Sequence, residues 1–161
     1  MSPPGSTYPK PLSVTWPLVL TSTSWYGVYF YARSLVAASE DPIISMLSAV
    51  VFCTASLSLV HWLDARHGTR QKADKAMARL SCVVFSIVAV LRVRDATLML
   101  YGWPLWILMA AFFKASDHYF TKTKGDAKWV VCHGMFHVCV GIGQCMVLHG
   151  ASHPGACRHW A

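Results

Sequence analysis

IISMLSAVVFCTASLSLVHWL, Ile43 to Leu63, is the stretch on which the fold turns: it holds no Lys, Arg, Asp or Glu and follows the turn-forming pair Asp41-Pro42. A helix needs about 20 mostly apolar residues to cross a bilayer, and a stretch of this length and polarity reads as one span closed by Asp64. Working outward, WVVCHGMFHVCVGIGQCMVL, Trp129 to Leu148, is a second uncharged stretch of membrane length. Ser13 to Ala32 is a third, ending at Arg33, and Ala96 to Phe113 a fourth, interrupted by Gly102 and Pro104. Between them only Leu80 to Leu91 is uncharged, so a span there must begin near Asp74 and let Arg79 snorkel to the interface.

Composition points the same way. The chain has 161 residues, 55% hydrophobic and 13% charged, whereas a soluble domain carries about 25% charged residues. Too few charges remain to coat a water-facing surface, so the expected fold class is all-α: a polytopic transmembrane bundle of about five spans. The expected organisation is an N-terminal cytoplasmic segment at 1–12, the bundle at 13–149 and a short C-terminal tail at 150–161. MSPPGSTYPKPLS lacks the apolar core of a cleavable signal peptide. Five of the cysteines, Cys53, Cys82, Cys132, Cys139 and Cys145, lie in apolar stretches and read as packing residues. Trp16, Trp62 and Trp129, near span ends, read as interfacial anchors.

Five spans would gather Lys10, Arg66, Arg70, Lys72, Lys75, Arg79, Lys114, Lys122, Lys124 and Lys128 on one side, leaving Arg33, Arg92, Arg94 and Arg158 on the other. The positive-inside rule then puts the N-terminus in the cytosol and the C-terminus across the membrane. The net charge of +7 is thereby read as a topology signal, with no nucleic-acid partner; a membrane lipid is the expected partner, and a homo-oligomer remains open.

Ionisable groups at membrane depth are costly and so mark candidate sites. His133 and His137 form H-x-x-x-H, which places two imidazoles one above the other on a helix face. That spacing suits a shared metal ion or two packing histidines bonded to neighbours. His61 falls in the last turn of the second span and Asp74 opens the third, all on the side assigned to the cytosol. Three imidazoles with a carboxylate or water satisfy tetrahedral zinc.

This order, a His ending one span, an Asp opening the next and H-x-x-x-H in a late span, resembles the CREST superfamily of membrane proteins. That group includes alkaline ceramidases, adiponectin/progestin-type receptors, GPI-remodelling proteins and the myomaker group. HGMFHVCVG, His133 to Gly141, is similar to the superfamily's final zinc-binding helix, and VHWLD, Val60 to Asp64, to the Y-H-x-C-D stretch of the myomaker branch. The resemblance implies Zn2+ held by His61, His133 and His137, with Asp74 orienting a zinc-bound water to hydrolyse a lipid amide or ester. Ser58, or else Ser56, would donate to the oxyanion, and Asp64 would serve as an outer partner of His61 or replace Asp74. Two departures stand out: the hydrolase branches carry Ser four residues before the first His, where this chain has Leu57, and they have seven spans. A non-catalytic receptor-like or membrane-remodelling protein with a structural zinc is the second reading. Haem carriage is the third and is disfavoured, because two histidines on one helix face cannot supply both axial positions. His67 and His118 read as solvated loop residues, His149, His153 and His159 as a cluster near the opposite end, and Gly141 and Gly143 as helix-packing positions.

The topology yields a direct test: a tag in the Arg66–Lys75 loop should be reachable from the cytosol and a C-terminal tag should not. Protease protection in intact and permeabilised cells reads both, and finding the two tags on one side would refute five spans.

Overall fold

A computed structural model describes residues 12–65, 68–122 and 127–153. Five α-helices account for almost all of them: α1 Leu12–Ser39, α2 Pro42–Leu63, α3 Thr69–Arg92, α4 Ala96–Lys122 and α5 Lys128–Ser152. The protein is an all-α helical bundle. Three helices are long and apolar enough to cross a membrane: Pro42–Leu63, Ala96–Thr121 and Lys128–Ser152. The two others fall short for reasons visible in their sequences. α1 contains the hydroxyl run Thr21-Ser22-Thr23-Ser24, and the first half of α3 holds Arg70, Lys72, Asp74, Lys75 and Arg79.

The helices outrun the apolar stretches that announce them. α1 continues past Arg33 to Ser39, and α3 begins at Thr69, a turn before Asp74. α4 continues beyond Phe113, so Lys114 and His118 are helical rather than in a loop, although both side chains are exposed. α5 runs to Ser152, and residues 154–161 of the expected tail lie outside the described residues. The reason is that charge sets where a helix leaves lipid, whereas backbone hydrogen bonding continues until a cap or breaker intervenes. Asp41 is such a cap: its Oδ1 accepts from the Ile43 N–H at 2.8 Å, with Pro42 preset at the first helical position. Its other oxygen pairs with Arg92 at 3.3 Å, tying the start of α2 to the end of α3. Asp95 caps α4 in the same way, accepting from Thr97 N at 2.8 Å and Leu98 N at 3.2 Å. The segment 1–11 of the expected N-terminal region lies outside the described residues.

α5 is the hub, touching α1, α2, α3 and α4, whereas among the described residues α4 packs on α5 and not on α3. One apolar core joins Trp25, Val28 and Ala32 of α1, Leu47, Val51 and Ala55 of α2, Phe85 and Val88 of α3, and Leu148 of α5. A second core at the opposite end joins Leu18, Trp62, Ala65, Trp129 and Val130. Here the sequence reading is corrected: Trp62 and Trp129 are 5% and 2% exposed, ring centroids 6.1 Å apart, and serve as core rather than interfacial anchors. A large ring near a helix end is drawn inward when a second helix presents another ring to pack on. Trp16 stays half-exposed. The five cysteines in the helices are free; Cys53 and Cys82 face outward, and Cys139 is buried.

Two glycines of α5 are fixed by what presses on them. A Cβ at Gly141 would lie 3.3 Å from the Trp25 indole, and one at Gly150 would lie 2.8 Å from Val93 Cγ1. Gly150→Ala should therefore destabilise the bundle by about 1–3 kcal/mol, the scale of overpacking. Thermal unfolding in detergent checks it, and adding Val93→Ala should recover part of the loss.

Candidate functional site: a buried histidine cluster at one end of the bundle

α1 and α5 start at the end of the bundle where α2 finishes, as shown by Thr15 Oγ1 donating to the Trp62 carbonyl at 3.1 Å and by Trp62 packing on Trp129. That end therefore collects His61 from α2, Asp74 from the second turn of α3, and His133 and His137 from the first three turns of α5. The basic residues Arg70, Lys72, Lys75 and Lys128 belong to the same end. His61 and His137 are 2% and 3% exposed, and His133 is partly buried.

The rings form a continuous series. His133 and His137 have centroids 4.9 Å apart, His133 lies 5.1 Å from Trp62, and Trp62 lies 4.5 Å from His61. On the far side His137 meets Trp25 at 4.7 Å, and the Trp25 Nε1–H donates to the His137 carbonyl at 3.0 Å.

The hydroxyls around these rings define which nitrogen carries the proton. Thr21 Oγ1 donates to the Leu18 carbonyl at 3.2 Å and lies 3.0 Å from His137 Nδ1. A hydroxyl has one hydrogen, so donation to Leu18 favours acceptance from a His137 Nδ1–H, whereas donation to Nδ1 would put the proton on Nε2. Ser116 Oγ repeats the arrangement on His133, donating to the Trp129 carbonyl at 3.3 Å while lying 3.1 Å from His133 Nδ1. Where both hydroxyls donate to the carbonyls, both rings are Nδ1–H tautomers, each with Nε2 as the nitrogen that keeps a lone pair. This is the state in which imidazole binds a metal or accepts a proton. Neither Thr21 nor Ser116 was singled out by sequence reasoning. Each lies on a different helix from its histidine, and no local spacing signals such a pairing.

Ser58 is buried, 3.0 Å from Ser22 Oγ and within hydrogen-bonding reach of the Asp74 carboxylate. Ser56 instead bonds the Tyr26 hydroxyl at 3.0 Å. Of the two candidate serines, Ser58 is thus the one brought to Asp74. Asp64 forms a 3.2 Å ion pair with Arg70, with both side chains exposed. The indole N–H of Trp62 finds no acceptor among the described residues. His67 and His159 lie outside the described residues. His149 bonds Tyr31 at 3.2 Å and stacks on His153 at 4.7 Å at the other end of α5.

The donor set is of the kind zinc takes, and the Nδ1 anchors suit ligation through Nε2. Among the described residues, however, no three His, Cys, Asp or Glu side chains are close enough together to hold one metal ion. The cluster is gathered without being closed. No protein family, curated protein or solved structure matches the chain.

The tautomer assignment is open to measurement. Nitrogen NMR of histidine-labelled protein should show His133 and His137 protonated at Nδ1. Thr21→Val should release His137 alone into tautomer exchange, and Ser116→Ala should release His133 alone.

Proposed function

We propose that this chain is a multi-pass membrane protein of the CREST type in which His61, His133 and His137 hold zinc and Asp74 with Ser58 hydrolyses a lipid amide or ester. The observation that carries the reading is the pair of hydroxyl anchors, Thr21 on His137 and Ser116 on His133, which turn an H-x-x-x-H pattern into two oriented donors. Such outer partners are the usual companions of metal-ligating histidines. In this reading all five helices cross the bilayer, with the basic end of the bundle in the cytosol.

Zinc, when bound, would polarise a carbonyl and lower the pKa of water to about 7. The chain's own residues supply the rest. Asp74 takes the proton from the water whose oxygen adds to the carbonyl carbon, then returns it to the departing nitrogen or oxygen as the carbon–heteroatom bond breaks. Ser58, held beside Asp74, donates to the carbonyl oxygen as charge gathers there. Trp25 and Phe136 stand between His137 and an apolar cavity lined by α3, α4 and α5, which would hold the chain of the lipid. The basic residues at the histidine end of the bundle suit anionic headgroups of the cytosolic leaflet.

Elemental analysis of detergent-purified protein should find about one zinc per chain, lost on replacing His61, His133 or His137 by Ala. Asp74→Asn should keep the metal and lose roughly 100- to 10,000-fold in hydrolysis of a mixed sphingolipid and phospholipid panel, the range of general acid–base catalysis. Metal-replete protein without zinc would refute the site. Zinc-loaded wild type that hydrolyses nothing would assign the metal a structural role, as in a receptor-like or membrane-remodelling protein.

A further inference from the structure

His149 and His153 lie at the end of the bundle opposite the buried cluster and take no part in either core. Four positions apart, they share one face of α5, His149 in its last turn and His153 as the residue that caps it. Their rings stack with centroids 4.7 Å apart and planes tilted by 37°. This is the second H-x-x-x-H of the same helix, and it differs from the first in that both side chains are exposed.

Each ring is held by its inner nitrogen. His153 Nδ1 lies 3.0 Å from the His149 carbonyl and 2.9 Å from Ser152 Oγ, and that hydroxyl donates to the same carbonyl at 2.9 Å. A carbonyl can only accept, so its bond to the ring requires the proton on Nδ1, which leaves the lone pair of His153 on Nε2. His149 Nδ1 lies 3.2 Å from the Tyr31 hydroxyl of α1, which can accept from it in the same way. No hydrogen bond engages either Nε2 among the described residues. Two neighbouring imidazoles with anchored inner nitrogens and open outer ones are the arrangement in which histidines ligate a metal. The place adds to it: a helix C-terminus carries a partial negative charge that favours a bound cation, and the last turn of α5 has no Lys or Arg to supply one.

We propose that His149 and His153 chelate one divalent late transition metal ion through their Nε2 atoms, copper(II) most tightly. Imidazole suits zinc, nickel and copper, and a given nitrogen set binds copper(II) best of the three. Magnesium and calcium take oxygen ligands and are excluded by the same chemistry. No third His, Cys, Asp or Glu among the described residues joins the pair, so water fills the other coordination positions. The site does not depend on the buried cluster or on zinc there, and its failure would leave that reading untouched.

Copper(II) titrated into the full-length protein in detergent, with the histidine ring signals followed by NMR, tests this. Paramagnetic broadening should reach His149 and His153 first, at substoichiometric copper. His133, roughly 24 Å back along α5 at 1.5 Å per residue, should stay sharp. His149→Ala and His153→Ala should each remove the first broadening from the remaining partner, and because both side chains are exposed neither change disturbs the packing. Nickel(II) and zinc(II) should compete with copper, and magnesium and calcium should not. The proposal is overturned if His133 or His137 broadens before His149 and His153, or if either partner still broadens at the same copper concentration once the other is replaced. It is equally overturned if His159→Ala, outside the described residues, removes the broadening as fully as His149→Ala does.

Discussion

The closeness of α1 to α5 is set by one ring. The Trp25 indole lies so near Gly141 that a Cβ there would sit 3.3 Å from it, and its Nε1–H reaches a carbonyl on the same helix, that of His137. An aromatic ring seated against a glycine brings two helix axes together, and the hydrogen bond fixes their relative height. With that height fixed, Thr21, one turn before Trp25, stands opposite His137, and Leu18, a further turn back, closes the second core with Trp62 and Trp129. The imidazole is thus oriented by packing decided a turn away from it.

Much of this architecture is legible in the chain. The stretches Ile43–Leu63 and Trp129–Leu148 fall within α2 and α5, and Asp41-Pro42 marks a helix start for a local reason, a capping carboxylate followed by a residue with preset φ. What the chain does not disclose is which faces meet. Trp62 and Trp129 resemble anchors until each is seen to be the other's packing partner, 67 positions away in sequence. The hydroxyl run of α1 lowers its hydropathy, so that α1 is not among the three helices apolar enough to cross a membrane, yet Thr21 and Ser22 point inward to His137 and Ser58. In lipid, the polarity that weakens a span by composition is what lets it bond another helix.

For the candidate site the same division holds. His133 and His137 share a face because of helical spacing, and that much is local. The approach of His61 and Asp74 is set by the α2–α3 and α2–α5 contacts, and the choice of Ser58 over Ser56 by the rotation of α2, which turns Ser56 to Tyr26. The two ends of the bundle also differ in kind. One is sealed by the Asp41–Arg92 pair and by Val93 pressed on Gly150. The other carries His61, His133 and His137, the hydroxyls that meet them and most of the described basic residues, so the buried polar cluster and the tight closure occupy opposite ends.

Because α5 is the hub of the five described helices and follows the other four in the chain, the order of synthesis leaves their packing unfinished until α5 appears. α1 and α2 form a hairpin with its own apolar contact, and α3 has α2 to lean on, but α4 has no partner in the chain until α5 follows. A nascent chain halted in the α4–α5 connection would hold α4 with its contact face bare in lipid and the histidine cluster reduced to His61.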